Sequence, residues 1–206
     1  MKKILFASLL LMGVTAAFSQ AEKNYILEMN GDTIHLSLGE SATMRLKNGQ
    51  TIPVKLTKKE MSSYKNDFVS FSYPSEYSVS TTKLDEDINQ ILLMSATGNG
   101  IMVQTYSTIN PDMVVDIMLK QITEDDIAAG YKGTTSPITK TLNDGMVLKG
   151  KKAVLTMDKD REEFTVMAYG VRKMGIVIVE IHNDFENADS EKIFKTFWGS
   201  LKVLFH

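Results

Sequence analysis

Apolar residues recur at every second position along most of this chain, and only two stretches lengthen that spacing to three and four: one after Asn110-Pro111, one from Ile193 to Leu201. A period of two puts alternate side chains on opposite faces of a strand, whereas a period near 3.6 gathers them into one stripe on a helix. Such a chain folds mainly as antiparallel sheet with two helices laid against it. The predicted class is α+β.

The first alternating segment carries an internal similarity: Met29-Asn30-Gly31-Asp32-Thr33-Ile34 is echoed by Lys47-Asn48-Gly49-Gln50-Thr51-Ile52. Asn-Gly supplies the positive φ angles of a two-residue hairpin turn. The reading is a small β-meander of two hairpins within residues 20–57, with strands Tyr25 to Met29, Thr33 to Leu38, Ala42 to Lys47 and Thr51 to Leu56. Residues 58–66 are polar and lysine-rich and read as a linker.

A larger unit, residues 67–206, follows. Phe68 to Tyr73 alternates up to Pro74, which ends the ladder. Ile91 to Ser95 and Ile101 to Tyr106 flank Thr97-Gly98-Asn99-Gly100 as a hairpin with a longer or bulged loop. Asn110, Pro111 and Asp112 are a helix start: a capping side chain, a proline at the first helical position and an acid complementing the dipole. Met113, Val114, Ile117, Met118, Gln121 and Ile122 then mark the apolar stripe, and Gly130 closes the helix. Further strands are expected at Ile138 to Leu142, Met146 to Lys149, Lys151 to Asp158, Glu163 to Arg172 and Gly175 to Asn183. The unbroken run Ile176-Val177-Ile178-Val179 marks the most central of them. Asn187 or Asp189 caps the last helix, whose stripe is Ile193, Phe194, Phe197, Trp198 and Leu201.

The chain begins Met1-Lys2-Lys3, runs apolar and uncharged from Ile4 to Phe18, and offers small residues Ala17 and Ser19 before Gln20. That is the basic, apolar and small-residue order of a secretory signal, so residues 1–19 are expected to be cleaved and the mature chain to be periplasmic or secreted, soluble and without membrane insertion. With no cysteine in the 206 residues there is no lipid attachment site of the lipoprotein type, no disulfide and no thiol chemistry. Loss of Lys2 and Lys3 takes the formal charge from −2 to −4, which argues against nucleic acid as a partner.

Phe71-Ser72-Tyr73-Pro74, the strand pair joined near Lys159 and the ending Phe197-Trp198-Gly199-Ser200-Leu201-Lys202-Val203 resemble the PsbP-like family, DcrB-type periplasmic proteins included, over residues 67–205. The resemblance implies an antiparallel sheet covered by helices, as a three-layer or two-layer arrangement. It further implies accessory or binding proteins without catalysis, and it carries over no functional residue.

No constellation of catalytic side chains is legible: there is no Gly-x-Ser-x-Gly elbow, and Gly98-Asn99-Gly100 is followed by a strand, so it is not a phosphate loop. Asp158 to Glu163 reads as a polar turn, since it lacks the glycine and distal glutamate of a calcium loop. Met94, Met102, Met113, Met118, Met157 and Met167 read as core filling. Glu180 and His182 stand two apart on one strand face and are the candidates for a ligand site, without a third ligand at metal-site spacing. No catalytic residue, cofactor or metal is therefore expected. The expected role is an exported, non-enzymatic accessory or binding protein working through a protein partner. The alternative is a small-ligand or metal-binding carrier.

Overall fold

The computed structural model describes residues 25–183 and 188–205. The signal segment, the cap expected at Asn187 and His206 lie outside the described residues. Contacts divide the chain into two units after Lys58.

The first unit holds β1 (Tyr25–Met29), β2 (Asp32–Leu36), β3 (Ser41–Arg45) and β4 (Thr51–Lys55). Here the structure corrects the meander: β1-β2 and β3-β4 are two separate two-stranded sheets. Loop bonds connect the pairs, Gly39 N–H donating to the Leu56 carbonyl at 2.7 Å and Lys47 N–H to Asp32 Oδ2 at 2.9 Å. The two Asn-Gly pairs also differ. Asn30 and Gly31 both take positive φ, 52° and 80°, as a two-residue turn requires, whereas at the second pair only Gly49 does, at 84°. There Leu46 N–H bonds the Gln50 carbonyl around a three-residue loop closed by the left-handed glycine. The same construction recurs at Ser95 to Asn99 with Gly98 and at Leu142 to Met146 with Gly145.

The second unit begins with a correction to the linker: Met61–Lys65 is a strand, β5, paired antiparallel with β6 (Val69–Pro74). Its serines and lysine hid a period-two pattern in which Met61, Ser63 and Lys65 are exposed while Ser62 and Tyr64 are half-buried. Then come β7 (Val79–Asp85), β8 (Ile88–Met94) and β9 (Gly100–Tyr106), a 3-10 turn at Pro111–Met113, and α1 (Val114–Ala129). These are followed by β10 (Lys132–Thr141), β11 (Val147–Met157), β12 (Asp160–Val171), β13 (Met174–His182), α2 (Ala188–Ser200) and β14 (Lys202–Val203). Asp189 thus lies inside α2. The fold is mostly antiparallel sheet with two helices.

Seven strands form the main sheet in the order β10-β11-β12-β13-β9-β8-β7, with β13 at its centre as the run Ile176 to Val179 implies; those four side chains are fully buried. The second sheet, β14-β6-β5, joins α2 on one face, where Phe71, Phe197, Ile193, Ile178 and Met167 form a core; the Phe71 and Phe197 rings stand 4.8 Å apart. The other face is covered by α1 through Val115, Met118 and Leu119 over Val166, Val177 and Val179. This is a three-layer arrangement. The α2 stripe is buried as expected, Trp198 only partly.

Two expectations change. The strands read at Met146 to Lys149 and Lys151 to Asp158 are one strand, β11, running through Gly150. Gly150 is not a break but a close approach, since a Cβ there would meet the Val166 carbonyl oxygen at 1.9 Å. In α1 the buried face is Val115, Met118, Leu119 and Thr123, while Met113 and Ile117 are 77% and 59% exposed. The helix is apolar on two sides, and spacing alone does not say which one the sheet takes. Met113 is therefore not core filling.

Candidate functional site

Two polar constellations lie in the second unit, one on each face of the main sheet. On the α2 face, alternate positions of β13 carry Ile176 and Ile178 into the core and then Glu180 and His182 beyond it. The pair does share a face, and each member is engaged. Glu180 Oε1 accepts a hydrogen bond from the Trp198 indole N–H. The His182 ring stacks on Phe194, with centroids 3.9 Å apart and planes at 18°. Lys140 on β10 sets its ammonium 3.9 Å from the centroid of Trp198, a cation–π contact. Burial lowers the Lys140 pKa, with the Glu180 charge working the other way. Burial also holds His182 below the usual imidazole value, against the charges of Glu180 and Glu163.

Directly opposite His182 in the β12–β13 ladder stands Glu163, only 7% exposed. Its Oε2 receives Lys152 and its Oε1 receives Arg161. Burial alone would raise this carboxyl, but the hydrogen bonds and charges of Lys152 and Arg161 prevail and lower it. The polar turn expected from Asp158 to Glu163 is shorter than the sequence suggests. The turn is confined to Asp158 and Lys159, and from Asp160 the strand alternates, so Arg161, Glu163 and Thr165 share the inward row with Met167. The signal is an acid directly before the apolar strand run that opens with Phe164. Among the described residues no group of three or more histidines, cysteines or acids is placed to hold a metal ion. Glu180 and His182 are thus tied into the packing of α2 on the sheet.

On the α1 face the start of the helix is built on two glycines. Gly170 and Gly175 face each other across β12 and β13. A Cβ on Gly170 would stand 2.1 Å from Asn110 Oδ1, and one on Gly175 2.4 Å from Pro111 Cδ. The bare backbone lets Asn110 and Pro111 lie flat on the sheet, where Asn110 Oδ1 accepts from the Asp112 N–H at 3.0 Å. Beside this cap lies a groove of about 440 Å³. Asp112 and Asp116, one helical turn apart, line one wall; Lys149 and Lys151 of β11 line the other, over Gly150 and Ala168. Lys151 and Asp116 close part of it with an ion pair at 2.6 Å. The volume falls among those of ligand pockets, roughly 300–1,000 Å³. The sequence marks Asp112 only as the acid of a helix start and none of these residues as a site, although Asp112/Asp116 and Lys149/Lys151 have the spacings that align charges on a helix and on a strand. Next to the groove wall, Met113 and Ile117 point outward, as does Ile109 before the cap, 44% exposed.

No helix among the described residues is long and apolar enough to cross a membrane. No family model matches the chain, and no curated protein matches it. Among solved structures it is similar to the solution structure of cyanobacterial PsbP (CyanoP) from Synechocystis sp. PCC 6803. That match has 14% sequence identity, covers 70% of this chain and 92% of that chain, and has a TM-score of 0.48.

Proposed function

We propose that this protein is an exported, non-enzymatic binding protein that works through contacts with another protein. The observation that carries the reading is the outer face of α1, where Met113 and Ile117 are 77% and 59% exposed one helical turn apart, with Ile127 on the same side, 52% exposed. A lone exposed apolar side chain needs no explanation, but two on adjacent turns beside a ligand-sized groove, with a third beyond Lys120 and Glu124, are the kind of surface that a partner covers. Export rests on the signal-like order of residues 1–19, and a DcrB-type periplasmic setting rests on the resemblance over residues 67–205.

The test is co-purification of the affinity-tagged mature chain from the exported fraction of its own cells, beside a Met113→Lys/Ile117→Lys variant. A partner retained by the native chain and lost from the variant, at unchanged melting temperature, is the expected result. Equal recovery with both chains, or none with either, contradicts the reading.

A second reading, a carrier of a small ligand, is supported by the groove of about 440 Å³ and not by Glu180 and His182, whose side chains are already engaged. A ligand at a hundred times its dissociation constant stabilises the fold by about 2.7 kcal/mol, so a thermal-shift panel separates the two readings.

A further inference from the structure

Helix α1 carries charge against its own dipole. Between Asn110 and Gly130 the chain holds five acids, Asp112, Asp116, Glu124, Asp125 and Asp126, and one base, Lys120, a formal charge of −4. That equals the formal charge of the whole chain without residues 1–19. Asp112 and Asp116 stand in the first turns, where a helix end is positive, and Asp116 is paired with Lys151. Glu124, Asp125 and Asp126 stand towards the other end, which is negative, and no base stands in the last turn. The strand beneath adds to them. Asp160 and Glu162 continue the row of β12 that carries Phe164 and Val166 under α1. The Glu162 carboxyl is hydrogen-bonded to Asp126 and to Tyr131, and every charge acting on Glu162 and on Tyr131 is a carboxylate. Burial, and then the charge of Asp126, hold Glu162 above the usual carboxylate value. This end of α1 is a negative pole, with Glu124 and Asp125 exposed on it. The other end of the outer face is apolar, with Ile109, Met113 and Ile117 exposed. At about 1.5 Å of rise per residue, Glu124 lies about 16 Å along the helix from Met113.

We propose that the outer face of α1 receives a basic amphipathic helix of a partner protein, which sets apolar side chains over Met113 and Ile117 and lysine or arginine side chains over Glu124 and Asp125. The inference rests on the protein-contact reading and states the chemistry of the partner. A helix face offers no free main-chain donors or acceptors between its ends, so an extended ligand gains nothing there, whereas the ridge of a second helix packs along it. Charge selects among helices. A second copy meeting through this face would bring another −4 to the same pole, and anionic lipid or nucleic acid would be repelled by it. A cationic segment instead supplies what the last turn of α1 lacks, a positive charge at the negative end of the dipole.

The experiment measures fluorescence anisotropy of the labelled, capped peptide Leu-Ala-Gln-Leu-Leu-Ala-Gln-Leu-Ala-Gln-Lys-Lys-Ala-Gln-Lys-Lys, and of the same sequence reversed, against the mature chain in 50 mM salt. One of the two directions is expected to bind, and its counterpart with glutamate in place of every lysine is not. Met113→Lys/Ile117→Lys and Glu124→Lys/Asp125→Lys should each weaken binding at least tenfold. Neither should lower the melting temperature, the second because it removes acids that the dipole opposes. Raising the salt to 300 mM should weaken binding severalfold. Equal binding of the glutamate peptide, indifference to salt or to either double variant, no binding of either direction at 0.5 mM, or self-association of the chain through this face would each overturn the proposal. So would uptake of the chain by neutral phosphatidylcholine vesicles through Met113 and Ile117. If co-purification of a partner depends on Met113 and Ile117 but not on Glu124 and Asp125, the basic helix is wrong and the protein-contact reading stands.

Discussion

Replacement of Gly170 by alanine tests how the sheet carries the start of α1. The added methyl would sit 2.1 Å from Asn110 Oδ1 and 2.6 Å from Asn110 Cγ, so the cap must move or the strand must bend. Overpacking of this kind costs about 1–3 kcal/mol. Asn110→Ala alone removes the side chain that holds the Asp112 N–H and should cost about 1 kcal/mol. The two penalties have one cause, because the three atoms nearest to that methyl all belong to the Asn110 side chain. With Asn110 already truncated the methyl has room, and the double variant should be more stable than the sum of the singles predicts by about 1–2 kcal/mol. For a domain of this size each kcal/mol moves the melting temperature by roughly 2–4 °C, so Gly170→Ala should lower it by about 2–12 °C and lose most of that effect in the Asn110→Ala background. Urea denaturation of the four proteins in the cycle gives the coupling directly. Strict additivity, or a Gly170→Ala cost under about 0.5 kcal/mol, would refute the contact.

Phe197→Ala empties the centre of the α2-side core, where Phe197 is fully buried against Phe71, and should cost about 3–5 kcal/mol by urea denaturation. Met113→Lys/Ile117→Lys should stay within about 0.5 kcal/mol of the native chain, whereas Leu119→Lys, on the buried face, should prevent folding; circular dichroism melts check both. The folded Glu163 pKa is depressed, so the stability it supplies is present above the ordinary carboxylate value and is lost as pH falls through the folded one; Glu163→Gln should flatten that acid limb in a stability–pH profile. His182 is lowered by burial, and its contribution is present above the unfolded value of about 6.5 and is lost as pH falls below it. His182→Phe keeps a ring on Phe194 and should remove the slope between pH 6.5 and the folded pKa.

Elements set by local chemistry were legible in the sequence. Asn110-Pro111 starts the helical segment, Gly130 ends it with φ of 109°, and Ile176 to Val179 runs through the middle of the sheet. The stripe from Ile193 to Leu201 lies where its spacing puts it. The misreadings occur where tertiary context decides. Gly150 looks like a strand break, yet its missing side chain is what lets β11 lie close to Val166. Met61 to Lys65 looks like a linker because a strand beside Phe71 can bury tyrosine and serine as well as aliphatics. In α1 two apolar sides compete, and the sheet takes the one with Val115, Met118 and Leu119. The site was less legible than the fold. Glu180 and His182 share a face as alternation requires, but the partners that occupy them, Trp198 and Phe194, come from a helix that follows in the chain. The groove joins Asp112 and Asp116 to Lys149 and Lys151 across more than thirty residues of sequence, and no spacing rule reaches that far.

The outer face of α1 as a protein-binding surface is tested most directly by a photo-reactive phenylalanine placed singly at Met113, at Ile117 and, as a control, at Lys83 on the far edge strand β7, with crosslinking in the living cell. The account predicts one discrete adduct, larger than the chain, from positions 113 and 117 and none from position 83. Equal adducts at all three positions, or none at 113 and 117, would contradict it.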